Sequence, residues 1–230
     1  MDRQSPALEA ESANGDGAGA DSTVHALRNR NSISKLATSF YPYTPHNMSS
    51  ARFFQVLRQA ASDALLKDLS VLKPAVEVLK AQKTTSIFAG TQLQQPNLFL
   101  AIGWESAEDH AAFKASSTYQ DFVSALKPAL ASSATTDTAL VRFAKDPLVA
   151  LKAPVTEFLW LSPKEEAKAE DLEEAVQGIE GIFPGAIAEK LSFGGFGGKY
   201  VDTGDYLLLG GWTGPEVKSC LLHTDEELLY

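Results

Sequence analysis

Residues 98–106 read LFLAIGWES, and residues 206–214 read YLLLGGWTG. Each segment is a nearly continuous apolar run that ends at a tryptophan, which is typical of a central strand covered on both faces. The two tryptophans, Trp104 and Trp212, are 108 residues apart, and the same offset places Leu221 over Phe113 and Tyr230 over Phe122. An internal repeat of this length predicts a duplicated domain and not a solenoid.

The sequence around Trp104 predicts a complete supersecondary unit. Leu65 begins an apolar stripe at helical spacing that should split at Pro74, and Ser106 with Asp109 resembles a capping box at the start of a second helix. Strands are predicted at residues 51–58, 84–93, 98–104 and 138–143. The order strand, helix, strand, strand, helix, strand is the ferredoxin-like pattern.

The second half repeats this order but stops early. Strands are predicted at residues 154–161, 186–193 and 205–212, with a glycine-rich loop at 194–198 and a last helix from Pro215. No counterpart of residues 138–143 follows before Tyr230, and a missing last strand leaves an open sheet edge. The N-terminal segment or a second chain could cover this edge, or the chain could simply be shortened.

The chain divides into three parts. We expect residues 1–50 to be a disordered N-terminal extension, because residues 1–22 are rich in small and acidic residues and contain no aromatic residue. Residues 51–150 form the first predicted repeat, and residues 151–230 form the second, shortened one.

Composition limits the function classes. A net charge of −9 argues against nucleic-acid binding and against docking on anionic membranes. No apolar run approaches the roughly 20 residues of a membrane-spanning helix. Cys220 is the single cysteine, so an intrachain disulfide is excluded and a Cys/His zinc cluster is implausible. We therefore expect a soluble, cytoplasmic protein without a metal site.

Residues 103–113, GWESAEDHAAF, lie at a predicted strand-to-helix junction. This string resembles the dimeric α+β barrel superfamily, and more narrowly the antibiotic-biosynthesis-monooxygenase type in the tandem form found in fungal proteins, over roughly residues 51–230. In that superfamily two four-stranded sheets join face to face, usually across a homodimer. The resemblance implies an α+β fold in which two ferredoxin-like βαββαβ repeats form an intrachain pseudo-dimeric α+β barrel, the second repeat lacking its last strand.

Four residues are candidate site residues. His110 could move a proton to or from a phenol or enol, and a helix histidine in some superfamily members acts in this way or ligates haem. Trp104 and Trp212 could form an aromatic wall for a flat ligand, or could pack in the core. Tyr119 could orient a phenolic ligand. His110 and Tyr119 are nine residues apart, so they face opposite sides of an unbroken helix unless it breaks near Ser116.

Members of the superfamily include cofactor-free monooxygenases, haem-degrading enzymes, polyketide cyclases and proteins without a known reaction, so the fold does not select one function. The resemblance implies a small apolar or aromatic ligand. The chain could be a cofactor-independent monooxygenase or cyclase acting on a polyketide-like aromatic substrate, with His110 as the catalytic residue. It could instead be a non-catalytic, stress-related binding protein, or a haem-binding protein. A homodimer could cover the open edge of the second repeat.

Overall fold

The computed structural model describes residues 27–29, 34–37, 52–131, 137–163 and 169–215, and it gives the backbone alone for the first two ranges. The strands are β1 (Leu27–Asn29), β2 (Ser34–Ala37), β3 (Phe53–Ala60), β4 (Thr84–Gln92), β5 (Asn97–Trp104), β6 (Asp137–Phe143), β7 (Val155–Pro163), β8 (Ser192–Tyr200) and β9 (Tyr206–Trp212). The helices are α1 (Asp63–Lys67), α2 (Lys73–Lys80), α3 (Ala107–Ala115), α4 (Ser117–Leu126), α5 (Leu148–Leu151), α6 (Ala169–Glu180) and α7 (Phe183–Ala188). Within these ranges, no helix has both the length and the apolar character that crossing a membrane requires.

The first half of the chain folds as its sequence predicts. Its strands pair antiparallel in the order β4-β5-β3-β6. Ser62 and Ser106 accept hydrogen bonds from backbone amides in the first turns of α1 and α3, which satisfies donors that a helix N-terminus leaves without partners. Pro74 lies in the first turn of α2, so the predicted split of the apolar helical stripe is confirmed.

The second half differs from the sequence-based prediction in two places. Of the predicted strand at residues 186–193, residues 186–188 are the end of helix α7 and only residues 192–193 are strand. The predicted glycine-rich loop at 194–198 is the middle of strand β8. Glycine suits these strand positions because helices lie directly on the strand and leave no room for a Cβ atom. A Cβ atom on Gly195 would overlap the Phe183 ring, and one on Gly197 would lie 2.5 Å from a methyl carbon of Val176. The helix predicted from Pro215 lies almost wholly outside the described residues.

The two halves carry the same irregularity at the same place. β4 has a bulge just after Thr84, which is paired with Trp104. β8 has a bulge just after Ser192, which is paired with Trp212. Both pairs are related by the 108-residue offset of the sequence repeat. A bulge is a specific feature of a strand pair, so the two tryptophans occupy matching positions in the pairing.

The sheet closes on itself. β6 pairs with β8 between the halves, and on the other side β2 pairs with both β4 and β7. β7 also pairs with β9, so the strands form a closed antiparallel ring in the order β2-β4-β5-β3-β6-β8-β9-β7. β1 is a further partner of β7. The expected disorder of residues 1–50 therefore does not hold for β1 and β2, and the edge of β7 that was expected to be open is paired with them.

Three apolar layers pack around this closed sheet. A shared interior contains buried side chains from both halves: Phe54, Phe88, Phe99, Val141, Phe143, Phe158, Leu207 and Leu209. Two further layers lie outside the sheet, one under α1–α4 and one under α6 and α7. Helix α5 closes one end of the interior, where the Thr156 hydroxyl donates to the Ala150 carbonyl at 2.8 Å and both α5 residues Ala150 and Leu151 are buried.

Replacing Gly195 with alanine tests the close approach of α7 to β8. We expect Gly195→Ala to lower the free energy of unfolding by about 1–3 kcal/mol, because the new methyl group overlaps the Phe183 ring. The matched control is Gly178→Ala in α6, where a Cβ meets nothing within 4 Å and which should gain about 0.5–1 kcal/mol from helix propensity. Urea unfolding measures both, and a Gly195→Ala protein as stable as the natural chain would contradict the packing.

Removing the N-terminal strands tests closure of the sheet. A chain without residues 1–39 lacks β1 and β2, which exposes the edges of β4 and β7. Because unpaired strand edges associate, we expect a lower unfolding temperature and concentration-dependent self-association, measured by light scattering. A chain without residues 1–26 keeps both strands and should behave as the full chain does. Equal behaviour of the two truncated chains would refute the closure.

Candidate functional site

A cavity of about 270 Å³ opens at the end of the closed sheet where β3 and β7 finish and β6 and β9 begin. We call it the mouth cavity. Its inner walls include Arg58, Ala139, Trp160 and Tyr200, and its rim is the turn between β8 and β9. β8 pairs with β6 over Val141–Phe143, and the earlier β6 residues Thr138 and Ala139 line the cavity. The cavity lies opposite the end that α5 closes.

Aromatic rings form one wall of the mouth cavity. The Trp160 ring stacks on Phe158, with centroids 5.9 Å apart and planes 20° apart, and it lies 5.8 Å from Phe99. The guanidinium carbon of Arg58 lies 4.9 Å from the centroid of the Trp160 ring, a distance at which a cation–π interaction is favourable. The Trp160 ring is therefore packed against two phenylalanine rings and the Arg58 guanidinium.

The rim of the mouth cavity is acidic and hydrogen bonded. The Thr203 hydroxyl donates to the Asp205 carboxylate at 2.7 Å, and the Tyr200 amide donates to the Asp205 carbonyl at 2.8 Å. Tyr206 begins β9 beneath this turn, and its hydroxyl donates to Glu173 of α6 at 3.2 Å. Burial, with the charge of Glu173 and this hydrogen bond, raises the pKa of Tyr206 to about 12. Its phenol therefore stays protonated and cannot act as a base near neutral pH.

Three of the four residues predicted from sequence lie together in the layer under α3 and α4. The Trp104 ring centroid is 5.5 Å from that of His110 and 5.2 Å from that of Phe113, and Tyr119 lies 5.6 Å from the same Phe113 ring. Extended backbone at Ser116 separates α3 from α4. This break, which the sequence analysis allowed for, lets His110 and Tyr119 face the same layer.

His110 is buried and lacks a hydrogen bond at one ring nitrogen. Its side chain is 7% exposed, and neither its Nε2 atom nor the neighbouring Nε1 of Trp104 has a hydrogen-bond partner in the described part of the chain. Burial lowers the pKa of His110, the charge of Lys114 lowers it further, and the charge of Asp202 opposes both. The imidazole is therefore mainly neutral at pH 7 and able to accept a proton.

Trp212 lies apart from the other three, under α7. Its Nε1 donates to the Glu157 carboxylate at 3.1 Å, and its ring is 5.3 Å from that of Phe183. None of the four predicted residues lines the mouth cavity. The catalytic role of His110 and the ligand contacts of Trp104, Tyr119 and Trp212 stay predictions, and all four residues pack in the helix-side layers.

The described residues offer no fitting place for haem or a metal. Haem would need an open slot beside an axial ligand, whereas His110 is covered by the Trp104 ring and Trp104 is completely buried. In the same part of the chain, no group of three or more His, Cys, Asp or Glu residues could hold a metal ion. The haem alternative stays a prediction without a matching site.

Sequence reasoning missed Arg58, Trp160 and Tyr200. A signal for the first two exists in the alternation of the strands, because Phe54 and Arg58 share one face of β3 and Phe158 and Trp160 share one face of β7. An arginine that ends an otherwise apolar inward face indicates that the interior opens there. Bringing the two strands to the same opening, however, requires knowledge of how the sheet closes.

No family model and no curated protein matches the sequence of this chain. Among solved structures, the chain is similar to a "putative monooxygenase" from Fusobacterium nucleatum subsp. nucleatum, with a TM-score of 0.50 and 10% identity over 78% of this chain and 83% of that chain. A protein of the same description from Lactobacillus acidophilus NCFM gives a TM-score of 0.49 and 12% identity over 78% of this chain and 84% of that chain. A conserved protein from Methanosarcina mazei Go1 gives a TM-score of 0.31 and 12% identity, over 39% of this chain and 92% of that chain. At 10% identity, the likeness to the Fusobacterium protein shows a shared mixed α+β fold and nothing more.

Proposed function

We propose that this chain is a small-molecule-binding α+β barrel protein of the monooxygenase-like kind, and that a small aromatic molecule binds in its mouth cavity. The observation that carries the proposal is the cavity, about 270 Å³ in volume, with Trp160, Tyr200 and Arg58 in its walls. Ligand sites are concave and combine apolar walls with a few polar groups. The volume lies just below the range of about 300–1,000 Å³ for drug-sized ligands, which favours a ligand of one or two rings.

The proposal includes the architecture. The two halves act as tandem repeats of the antibiotic-biosynthesis-monooxygenase type that form one pseudo-dimeric barrel within the chain. The matching bulges after Thr84 and Ser192 support this, and so does the position of β2, which lies beside β7 as β6 lies beside β3. In this arrangement β2 takes the place of the last strand of the second repeat. A homodimer stays a prediction, although the sheet edge that a second chain was expected to cover is paired with β1 and β2.

Two functions remain open for the chain: catalysis on the bound molecule, or binding without catalysis. A cofactor-independent monooxygenase or cyclase acting on a polyketide-like aromatic substrate needs a base that removes a proton from a phenol or enol. His110 would be this base, although its ring packs against Trp104 and does not line the cavity. A non-catalytic, stress-related binding protein is supported by the placement of the imidazole in the helix-side layer, outside the cavity lining.

Filling the cavity tests the proposed function. We expect 2-naphthol to bind the natural chain in isothermal titration calorimetry, and Ala139→Phe to weaken binding at least tenfold, because Ala139 lines the cavity and a phenyl ring would occupy it. The matched control is Ala144→Phe, at an exposed position just beyond β6, which should bind as the natural chain does. Circular dichroism verifies that both variants are folded.

Absence of 2-naphthol binding by the natural chain would contradict the proposed function. Equal binding by the natural chain and by a folded Ala139→Phe protein would contradict the location of the site.

The pH dependence of stability tests the buried state of His110. Its pKa in the folded chain lies below the unfolded value of about 6.5, so the unfolded chain takes up the proton first as the pH falls. The stability that neutral His110 provides is therefore present above about pH 6.5 and is lost as the pH falls through the lowered pKa.

We expect the unfolding free energy of the natural chain to fall more steeply than that of His110→Gln between about pH 7 and about pH 5. Urea unfolding across this range measures both proteins. Parallel curves would show that His110 is not buried in the neutral form.

A further inference from the structure

We infer that the outer face of α7 is a docking surface for an amphipathic helix, and that its occupant is residues 216–230 of the same chain. The inference concerns a surface other than the mouth cavity and does not depend on the proposed function. It comes from two observations. Residues 181–188, GIFPGAIA, carry no charged side chain, and several of them are exposed. The 108-residue repeat identifies what covers the corresponding face of α2.

Helices α2 and α7 are counterparts in the two halves. At the end of α2 the Gln82 amide donates to the Leu79 carbonyl at 2.9 Å, and at the end of α7 the Lys190 amide donates to the Ile187 carbonyl, also at 2.9 Å. Both donors and both acceptors are 108 residues apart, so the offset that relates the two tryptophans also relates these helices. Ile187 therefore occupies the position of Leu79.

The counterpart residues differ in exposure. Leu79 is completely buried, whereas Ile187 is 47% exposed. Val76 is buried as well, whereas Pro184 at the corresponding position of α7 is exposed. In the first half α4 contacts α2, and the two buried α2 residues share one apolar cluster with aromatic rings of α3 and α4. A contiguous uncharged surface that is exposed in one half and covered in the other marks an interaction site.

The repeat identifies the occupant of this surface. Phe113 of α3 and Phe122 of α4 lie in the same buried cluster as Leu79. The 108-residue offset places Leu221 over Phe113 and Tyr230 over Phe122. The side chains that would cover α7 in the manner of the first half therefore belong to this chain, and they are apolar or aromatic as the contact requires.

The chain is led to the surface by hydrogen bonds at the end of β9. The Thr213 amide donates to the Leu191 carbonyl at 3.1 Å, and the Leu191 amide donates to the Ala186 carbonyl of α7 at 2.9 Å. Pro215 takes the place of the first residue of α3, a position at which proline is favoured. The fifteen residues that follow would span about 22 Å as a helix, which exceeds the length of about 9 Å of α7.

The sequence of the segment suits an apolar surface. Val217, Leu221 and Leu228 are spaced by four and seven residues, so in a helix they would lie within about 40° of one another. The acidic residues of the segment, Glu216, Asp225, Glu226 and Glu227, fall outside this stripe. One side would therefore meet the uncharged face of α7 while the charged side remains in water.

Hydrogen exchange of the full chain, measured by mass spectrometry, tests the docking. We expect the amides of residues 216–230 to exchange at least tenfold more slowly than those of an unstructured peptide of the same sequence, because a docked helix protects them. Ile187→Asp should remove most of this protection, since it places a charge in the apolar contact. Exchange of residues 216–230 at the rate of the free peptide in the natural chain would overturn the inference.

The matched control is Ile182→Asp. Ile182 is 58% exposed and lies just before α7, but its counterpart Pro74 is exposed even though α4 contacts α2, so this position lies outside the contact. Ile182→Asp should therefore keep the protection of residues 216–230. Ile187→Leu, which gives α7 the side chain that α2 has at the position of Leu79, should keep it too. Equal protection in Ile187→Asp and Ile182→Asp would overturn the inference.

Two further measurements complete the test. Leu221→Asp alters the other side of the contact and should also remove the protection, and it decides the matter if Ile187→Asp does not fold by circular dichroism. Sedimentation velocity identifies the chain that supplies the segment. We expect protection that is independent of protein concentration in a monomer. Protection that appears only in a dimer would place the segment, or another surface, of a second copy on α7 and would overturn the inference.

Discussion

One apolar interior is shared by both halves of the chain, and the closed sheet depends on it. Phe99 of the first half and Phe158 of the second half pack with their ring centroids 5.0 Å apart, and both side chains are almost completely buried. Burying each such side chain contributes about 1.5–3 kcal/mol. Gly198 lets β8 approach the same interior closely, because a Cβ there would lie 2.6 Å from Val141 and 2.8 Å from Phe143. Neither half can bury its inner face alone.

The position of the candidate site follows from this interior. Helix α5 fills one end, and the buried aromatic rings fill the middle. At the other end the short pairing of β6 with β8 leaves space, and the inward faces of β3 and β7 finish there with Arg58 and Trp160. Polar atoms can therefore reach solvent or a ligand at this end, while a charge deeper in the interior would be costly. The residues that the sequence first suggested lie outside the sheet, under the helices.

Much of the fold could be predicted because its determinants are local. Continuous apolar runs located β5 and β9, the Ser106 cap located α3, and the spacing of Trp104 and Trp212 indicated the repeat. The glycine-rich strand β8 could not be predicted, because its glycines are explained by Phe183 and Val176, which contact it only in the folded chain. The mouth cavity could not be predicted either. Arg58 and Trp160 meet only when distant strands close the sheet, and side-chain types alone do not reveal that contact.

The most direct test of the shared interior is native-state amide hydrogen exchange, measured by NMR on the natural chain and on Phe158→Ala. Phe158 belongs to the second half, yet its ring contacts Phe99 of the first half. A single interior predicts that the substitution lowers the opening free energy of the slowest amides in β5 and β9 by the same amount, about 3–5 kcal/mol. Loss of protection in β9 with β5 unchanged would show two independent halves and contradict this account of the fold.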